Sequence, residues 1–396
     1  MSFRKIMFVA SAATALLIAR GAMADVTIGY LADLSGATSV LSGKSSQAAM
    51  EMAIEDFGGK VNGEDIKLLS ADHLGKPDVG LGIAREWIDQ KKLNLLFSVD
   101  NSAVALAVSD YVKDKDVAFI HGASTSKLTN ESCGPNQIQM LVDSYGLSRA
   151  ITTPLVKENH KNWYYITVDY ALGHDLESHG ATAIKEAGGK FLGSSSHSPQ
   201  ATDFSAFLLE AKSKGADTIG LATFGSYQVA IAKQAQEFGM TDVALAPFFL
   251  GITDIKAAGL DAFQNVHGAI QFYWDQNDKT RAFSKRFEKR FGRPPTFTNA
   301  MAYEFVTDYL KAIQKAGSKE ASKVTAAMRA APLEMINGDT ATIRADGRTL
   351  RPMYSYVTKK PSESKGDWDY LKITGTIPAD SLAPPLSESK CPLIKK

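Results

Sequence analysis

The chain has 396 residues, with 44 Lys and Arg against 43 Asp and Glu, a formal charge of +1, and only two cysteines. So even a balance offers no footprint for nucleic acid or for an anionic membrane surface. The length exceeds what one small core needs and calls for two domains of ordinary size.

Arg4 and Lys5 precede an apolar segment from Ile6 to Ala19, and Ala22-Met23-Ala24 supplies the small residues that a signal peptidase reads. Residues 1–24 are therefore expected to be a signal peptide cleaved after Ala24. The alternative, a membrane anchor, is disfavoured because the run falls short of the ~20 residues a spanning helix needs, and Arg20 ends it. Losing Arg4, Lys5 and Arg20 takes the formal charge to −2. In an oxidising compartment, Cys133 in "ESCGPN" and Cys391 in "ESKCPL" read as one long-range disulfide, the alternative being two unrelated thiols.

From Asp25 onward strand and helix alternate. "VTIGYLA", "IKLLSAD", "LNLLFSV" and "VAFIHG" are short apolar runs, separated by the helical patterns "KSSQAAMEMAIEDFGG", "KPDVGLGIAREWIDQK" and "SAVALAVSDYVKDK". That pattern predicts a parallel, doubly wound α/β sheet with helices on both faces. A second series starts near Tyr145: "NWYYITVD", a helix from His174, "KFLGSSS", a helix from Asp203, "DTIGLATF", a helix from Ser226, then "VALAPFF". After "VHGAIQFYW" come two long helices, "TRAFSKRFEKRFG" and "TNAMAYEFVTDYLKAIQKAG", and the strand-like "MYSYVTKK" and "WDYLKITGT". This tail has no parallel sheet of its own and is expected to complete the two lobes, leaving a hinge and a cleft between them.

Ligands of open parallel sheets sit beyond the carboxyl ends of the strands. In the first lobe those loops, "DLSGATSVLSG", "VDNSAVA" and "HGASTSKLT", are rich in Ser, Thr and Gly and poor in charge. Ser102 is placed to open a helix, where free N–H groups favour an anion, or to serve as an ordinary cap. In "ALAPFFLG", Phe248 and Phe249 cannot both fill one core if the strand continues through them, so one of them needs another partner.

Enzyme signatures are missing. "GATSVLSGKS" has six residues between its glycines where a phosphate-binding loop needs four, and no nucleophile elbow is present. His174 and His179, five apart, would not share a helix face for a metal and read as surface or capping residues. "RAFSKRFEKRFG" reads as a helix with one buried stripe through Phe283 and Phe287.

Together, the export signal, "TIGYLADLSG", "HGASTSKLT" and "DYALGHDL" resemble the leucine/isoleucine/valine-binding family of periplasmic solute-binding proteins, over nearly all of the mature chain. The resemblance implies a type I periplasmic binding protein fold, with two Rossmann-like doubly wound lobes joined by a three-crossover hinge. Residues 25–145 with 275–350 would form the N-terminal lobe, and 146–274 with 351–396 the C-terminal lobe. It also implies a monomer in the periplasm that closes on a small ligand, with hinges near Tyr145, Tyr273 and Leu350, and delivers it to an ABC permease. No catalysis, cofactor, metal or nucleic acid is implied.

Family members grip a ligand carboxylate with positions matching Ser102, Gly122 and Ser124, and cover it with aromatic side chains at positions matching Leu41 or Ser42, Tyr170 or Leu172, and Phe224. Amino-acid-binding members place an acid for the ammonium where this chain has Phe248, with Phe249 beside it. The carboxylate grip is thus retained and the ammonium grip lost, which points to a carboxylate with an apolar or aromatic body, such as a benzoate or hydroxycinnamate. Phe248, or Phe249, is expected to face it. The alternatives are a branched-chain or aromatic amino acid held by cation–π contacts from Phe248, Phe249, Tyr273 and Trp274, and a receptor module that senses rather than transports.

Overall fold

The computed structural model describes residues 25–395 apart from Ala37, Val99 and Asn265; the segment expected to be a signal peptide, residues 1–24, lies outside the described residues. The first series runs β1 (Val26–Ala32), α1 (Gly43–Asp56), β2 (Lys60–Val61), β3 (Glu64–Asp72), α2 (Pro77–Lys91), β4 (Leu95–Ser98), α3 (Ser102–Val112), β5 (Ala118–His121) and β6 (Gln137–Gln139). These strands form one sheet in the order β2-β3-β1-β4-β5-β6, with every pairing parallel except that of β2 with β3.

Burial follows the strand period. Every residue of β1 is buried, as a strand covered on both faces requires. Ile28, Tyr30, Leu95, Phe97 and Ile120 join one core. Their neighbours Leu31, Leu96 and Phe119 turn to the opposite face, against Trp87 of α2 and Val104 and Val108 of α3.

The second series is α4 (Ser144–Lys157), β7 (Asn162–Val168), α5 (Ala171–Glu186), β8 (Lys190–His197), α6 (Ser205–Ser213), β9 (Thr218–Ala222), α7 (Ser226–Glu237), β10 (Ala244–Pro247), α8 (Ile252–Ala258) and β11 (His267–Ile270). The first four strands of this series form a parallel sheet ordered β10-β9-β7-β8. The chain then returns through α9 (Asp278–Phe291), α10 (Phe297–Ala316), α11 (Ala321–Arg329), β12 (Leu333–Glu334), β13 (Thr340–Ile343) and β14 (Thr349–Leu350), and ends with β15 (Met353–Thr358) and β16 (Leu371–Ile377). Strand β15 pairs antiparallel with β11 on one side and β16 on the other, beside the second sheet, while β12, β13 and β14 form a small antiparallel sheet of their own.

The fold is the expected one, two doubly wound lobes with crossovers at 140–143, 271–277 and 351–352. α10 packs on α1 in the first lobe. In α9, Phe283 and Phe287 are buried, while Arg286 and Arg290 lie outward against Asp56, Glu51 and Glu55. This is the single apolar stripe read in that segment.

Cys133 and Cys391 are joined, 258 residues apart in sequence. A bond closing so long a loop stabilises by roughly 2 to 5 kcal/mol. It draws the last residues away from β16 to the loop after β5, where the Lys390 N–H also donates to Asn130 Oδ1 at 3.1 Å.

Candidate ligand-binding site

In both sheets the first strand of the series has later strands on either side, which puts the reversal of strand order at the ends of β1 and β7 and opens a crevice there. The cleft formed at these ends holds about 520 Å³ of empty space, its open mouth included. The first lobe lines it with Thr38, Leu41 and Ser42 after β1, Asp100 and Asn101 after β4, and Gly122 and Ser124 after β5. Tyr170, Leu172, Phe224 and Phe249 come from the second lobe, and Leu141, Phe297 and Thr298 from the crossovers and the start of α10.

Each wall is held locally. Asp33 accepts from the N–H groups of Ser35, Gly36 and Thr38, folding the loop after β1 back on itself. Thr296 and Thr298 at the start of α10 both donate to the Leu41 carbonyl, at 2.8 and 2.6 Å. Tyr170 stands edge-on to Phe224, with ring centroids 5.7 Å apart, in the geometry aromatic pairs prefer. Gly251 lies so close to the first lobe that a Cβ there would meet Leu41 Cδ1 at 2.8 Å. The closing glycine of "ALAPFFLG" therefore admits the opposite lobe.

Of the residues named from sequence, Leu41, Ser42, Gly122, Ser124, Tyr170, Leu172, Phe224 and Phe249 line this space. Phe248, the first expected at the cleft, does not. Strand β10 stops at Pro247, and Phe248 turns into the second-lobe core at 1% exposure, its ring 5.8 Å from that of Tyr165. Phe249 takes the cleft side, its carbonyl held by Gln228 Nε2 at 2.8 Å. Tyr273 and Trp274 are also away from the cleft, both donating to the Trp368 carbonyl.

Ser102 is not the helix cap. Asn101 is, its side chain accepting from the N–H groups of Ala103 and Val104. Ser102 is fully buried, and its hydroxyl has no well-formed hydrogen bond, the nearest candidate being the phenol of Tyr170 from the opposite lobe. A buried hydroxyl without a partner costs free energy that a ligand oxygen can recover. Burial, with the nearby charge of Asp100, pushes the Tyr170 phenol well up, so it stays a neutral donor.

Asp100 was not read from the sequence, where its loop passed for one of hydroxyls and free N–H groups. Both its oxygens are occupied: Oδ2 by Asp33 N–H (2.7 Å), Thr38 Oγ1 (3.3 Å) and Ser42 Oγ (3.4 Å), and Oδ1 by His73 (2.7 Å) and Asn101 N–H (2.8 Å). The acid nearest Phe249 in sequence, Asp254, is not among the residues lining the cleft. It accepts from Gly251 N–H and Gln228 Nε2, and burial pushes its pKa up to about 6.

Beside the cleft, Asp175 of α5 brackets the lobes. It accepts from Thr125 Oγ1 (3.1 Å), Ser126 N–H (2.7 Å) and Ser126 Oγ (3.0 Å) of the first lobe and from Ser144 at the hinge, with His179 at 3.5 Å. His179 is thus an interlobe residue rather than a surface one, while His174 is exposed and pairs with Asp169. Burial opposes the Asp175 charge, but hydrogen bonds from His179, Ser144 and the Ser126 N–H outweigh it and hold the carboxyl at about 2, down from 3.8. A depressed carboxyl contributes stability above its unfolded pKa and loses it as pH falls toward the folded value. By linkage, about 2 kcal/mol should vanish between pH 4 and 2. Urea midpoints across that range should show this loss in the wild type and not in Asp175→Asn; equal losses would remove Asp175 from the account.

Two lobes, a crevice at the strand ends and an interlobe bracket are the frame of a protein that binds a small molecule between its lobes. The chain belongs to the periplasmic binding protein family, whose model matches residues 25–366, and within it to the leucine/isoleucine/valine-binding type I group. It is similar to the Leu/Ile/Val-binding protein homolog 7 of Brucella suis biovar 1, with 26% identity over 345 residues covering 82% of this chain and 86% of the relative. A periplasmic binding protein of Burkholderia mallei superposes with a TM-score of 0.91 at 38% identity, over 94% of this chain and 100% of that one. A branched chain amino acid ABC transporter periplasmic ligand-binding protein of Burkholderia xenovorans LB400 does so with 0.85 at 36%, over 93% and 100%. Such proteins are exported to the periplasm, bind a small molecule and pass it to a membrane permease, and this chain is not an enzyme.

Proposed function

We propose that the cleft of this solute-binding protein takes a small carboxylate with an apolar or aromatic body, of the benzoate or hydroxycinnamate kind. Gly122 and Ser124 line the carboxylate end, backed by the buried Ser102 hydroxyl at the start of α3, whose Ala103 and Val104 N–H groups Asn101 already takes. Tyr170, Phe224 and Phe249 enclose the body. The observation that carries this reading is the absence, among the described lining residues, of a carboxylate with a free oxygen: Asp100 is saturated by its own neighbours. An ammonium closed against Phe249 would lose water without gaining a partner, at a cost of several kcal/mol.

A second reading, an amino acid with its ammonium on Asp100, is favoured by the position of that residue in the wall and by the names of the relatives. Thermal shift with benzoate, cinnamate, 4-methyl-2-oxopentanoate, leucine and phenylalanine separates the two, since binding raises the melting point by mass action. The acids are expected to stabilise and the amino acids not. Leucine as the strongest stabiliser overturns the carboxylate reading.

A further inference from the structure

We propose that His73, which does not line the cleft, is a positioning residue that sets the charge of the first-lobe wall through Asp100, so that ligand affinity follows the protonation of this buried pair. The clause on affinity rests on the cleft described above. The pairing itself does not.

His73 directly follows β3 and Asp100 follows β4, the two strands on either side of β1. His73 is fully buried and the Asp100 side chain is 4% exposed; Nε2 stands 2.7 Å from Oδ1. The other ring nitrogen, Nδ1, accepts from the Gly75 N–H at 3.0 Å. A nitrogen that accepts carries no proton, so the ring is neutral, with its one N–H on Nε2 aimed at Asp100. In this state Asp100 brings a negative charge to the wall that it lines.

The charged groups facing His73 are all acids: Asp100, Asp33 after β1, and its own neighbour Asp72. From the helix side Gly80 of α2 approaches its Cβ and brings no charge. Burial disfavours the imidazolium, but the hydrogen bond and charge of Asp100, with Asp33 and Asp72, outweigh it and raise the His73 pKa above its ordinary value. Protonation requires the Gly75 N–H to turn away. Gly75 is exposed in a turn with φ +66°, a left-handed conformation that glycine leaves at no steric cost.

The wall thus has two charge states. With His73 protonated the pair is neutral and a ligand carboxylate meets no like charge. With His73 neutral the same carboxylate shares the cleft with the Asp100 charge and is repelled by it. A ligand ammonium reverses the sign.

The test is calorimetric titration of 3-phenylpropanoate and phenylalanine, matched in body, between pH 5.5 and 8.5, on the wild type and on His73→Gln, which keeps an N–H for Asp100 and does not titrate. The acid is expected to weaken about tenfold as pH rises, on the order of one screened charge contact, and the slope to disappear in His73→Gln. If phenylalanine binds instead, tightening as pH rises with the slope again lost in His73→Gln, the role of His73 stands and the carboxylate reading falls. Binding of either without a pH slope, or a slope that survives in His73→Gln, overturns the proposal. Independently of any ligand, NMR of the His73 ring should show its titration moving down in Asp100→Asn. An unmoved titration also overturns it.

Discussion

Phe249→Ala is expected to weaken binding of the best-stabilising acid by roughly 5- to 30-fold while leaving the protein folded, and Phe248→Ala is expected to do the reverse. The two side chains are adjacent, of one kind, and nearly equally buried, at 7% and 1% exposure. What differs is what they touch. Phe249 lines the space between the lobes, so its truncation removes ring contact with the ligand, about 0.5 to 1.5 kcal/mol for an aromatic pair plus lost apolar area. Phe248 packs on Tyr165 in the second-lobe core, and Phe→Ala in a core costs about 3 to 5 kcal/mol with a cavity left behind. Calorimetry and urea unfolding on both variants decide the matter. An unchanged affinity in folded Phe249→Ala would place the ligand elsewhere.

This pair also shows where sequence reasoning works and where it stops. That two neighbouring phenylalanines must divide between core and cleft follows from local geometry and was legible. Which goes where depends on β10 ending at Pro247 and on Tyr165, a residue of another strand. The Ser, Thr and Gly loops were legible for a related reason: each directly follows an apolar strand, and strand ends are where such folds bind. The His73–Asp100 pair was not, because the residues lie 27 apart and meet only through the sheet order β3-β1-β4. Phe297 and Thr298 were equally hidden, since the return of the chain through the crossovers carries them to a wall otherwise built from residues far earlier. Local chemistry decided smaller errors. Asn101, one residue before Ser102, captured the cap because its amide oxygen reaches two N–H groups at once, and α5 opens at Ala171, directly after Tyr170, three residues ahead of the predicted start.

Arg348→Met is expected to cost about 3 to 5 kcal/mol of stability, with Arg348→Met/Asp143→Asn recovering most of it. Arg348 and Asp143 pair at 4% and 0% side-chain exposure, and Arg348 Nη2 also donates to Thr129 Oγ1 at 2.8 Å. Asp143 lies in the first crossover and caps α4 through the Gly146 N–H, while Arg348 immediately precedes β14 and the third crossover and bridges to Gln139. Removing the guanidinium strands a buried carboxylate, and that uncompensated charge, more than the lost attraction, sets the cost. Asparagine at 143 removes the charge and can still cap, so the double variant should be far from additive. Urea unfolding of both single variants and the double measures the coupling; additive losses would show that the pair holds nothing together. A buried pair tying two crossovers also constrains how the lobes move. Keeping its partners through closure confines bending to the backbone on either side of it, so the double variant should retain ligand-induced compaction in small-angle scattering only if hinge geometry survives without the charge pair.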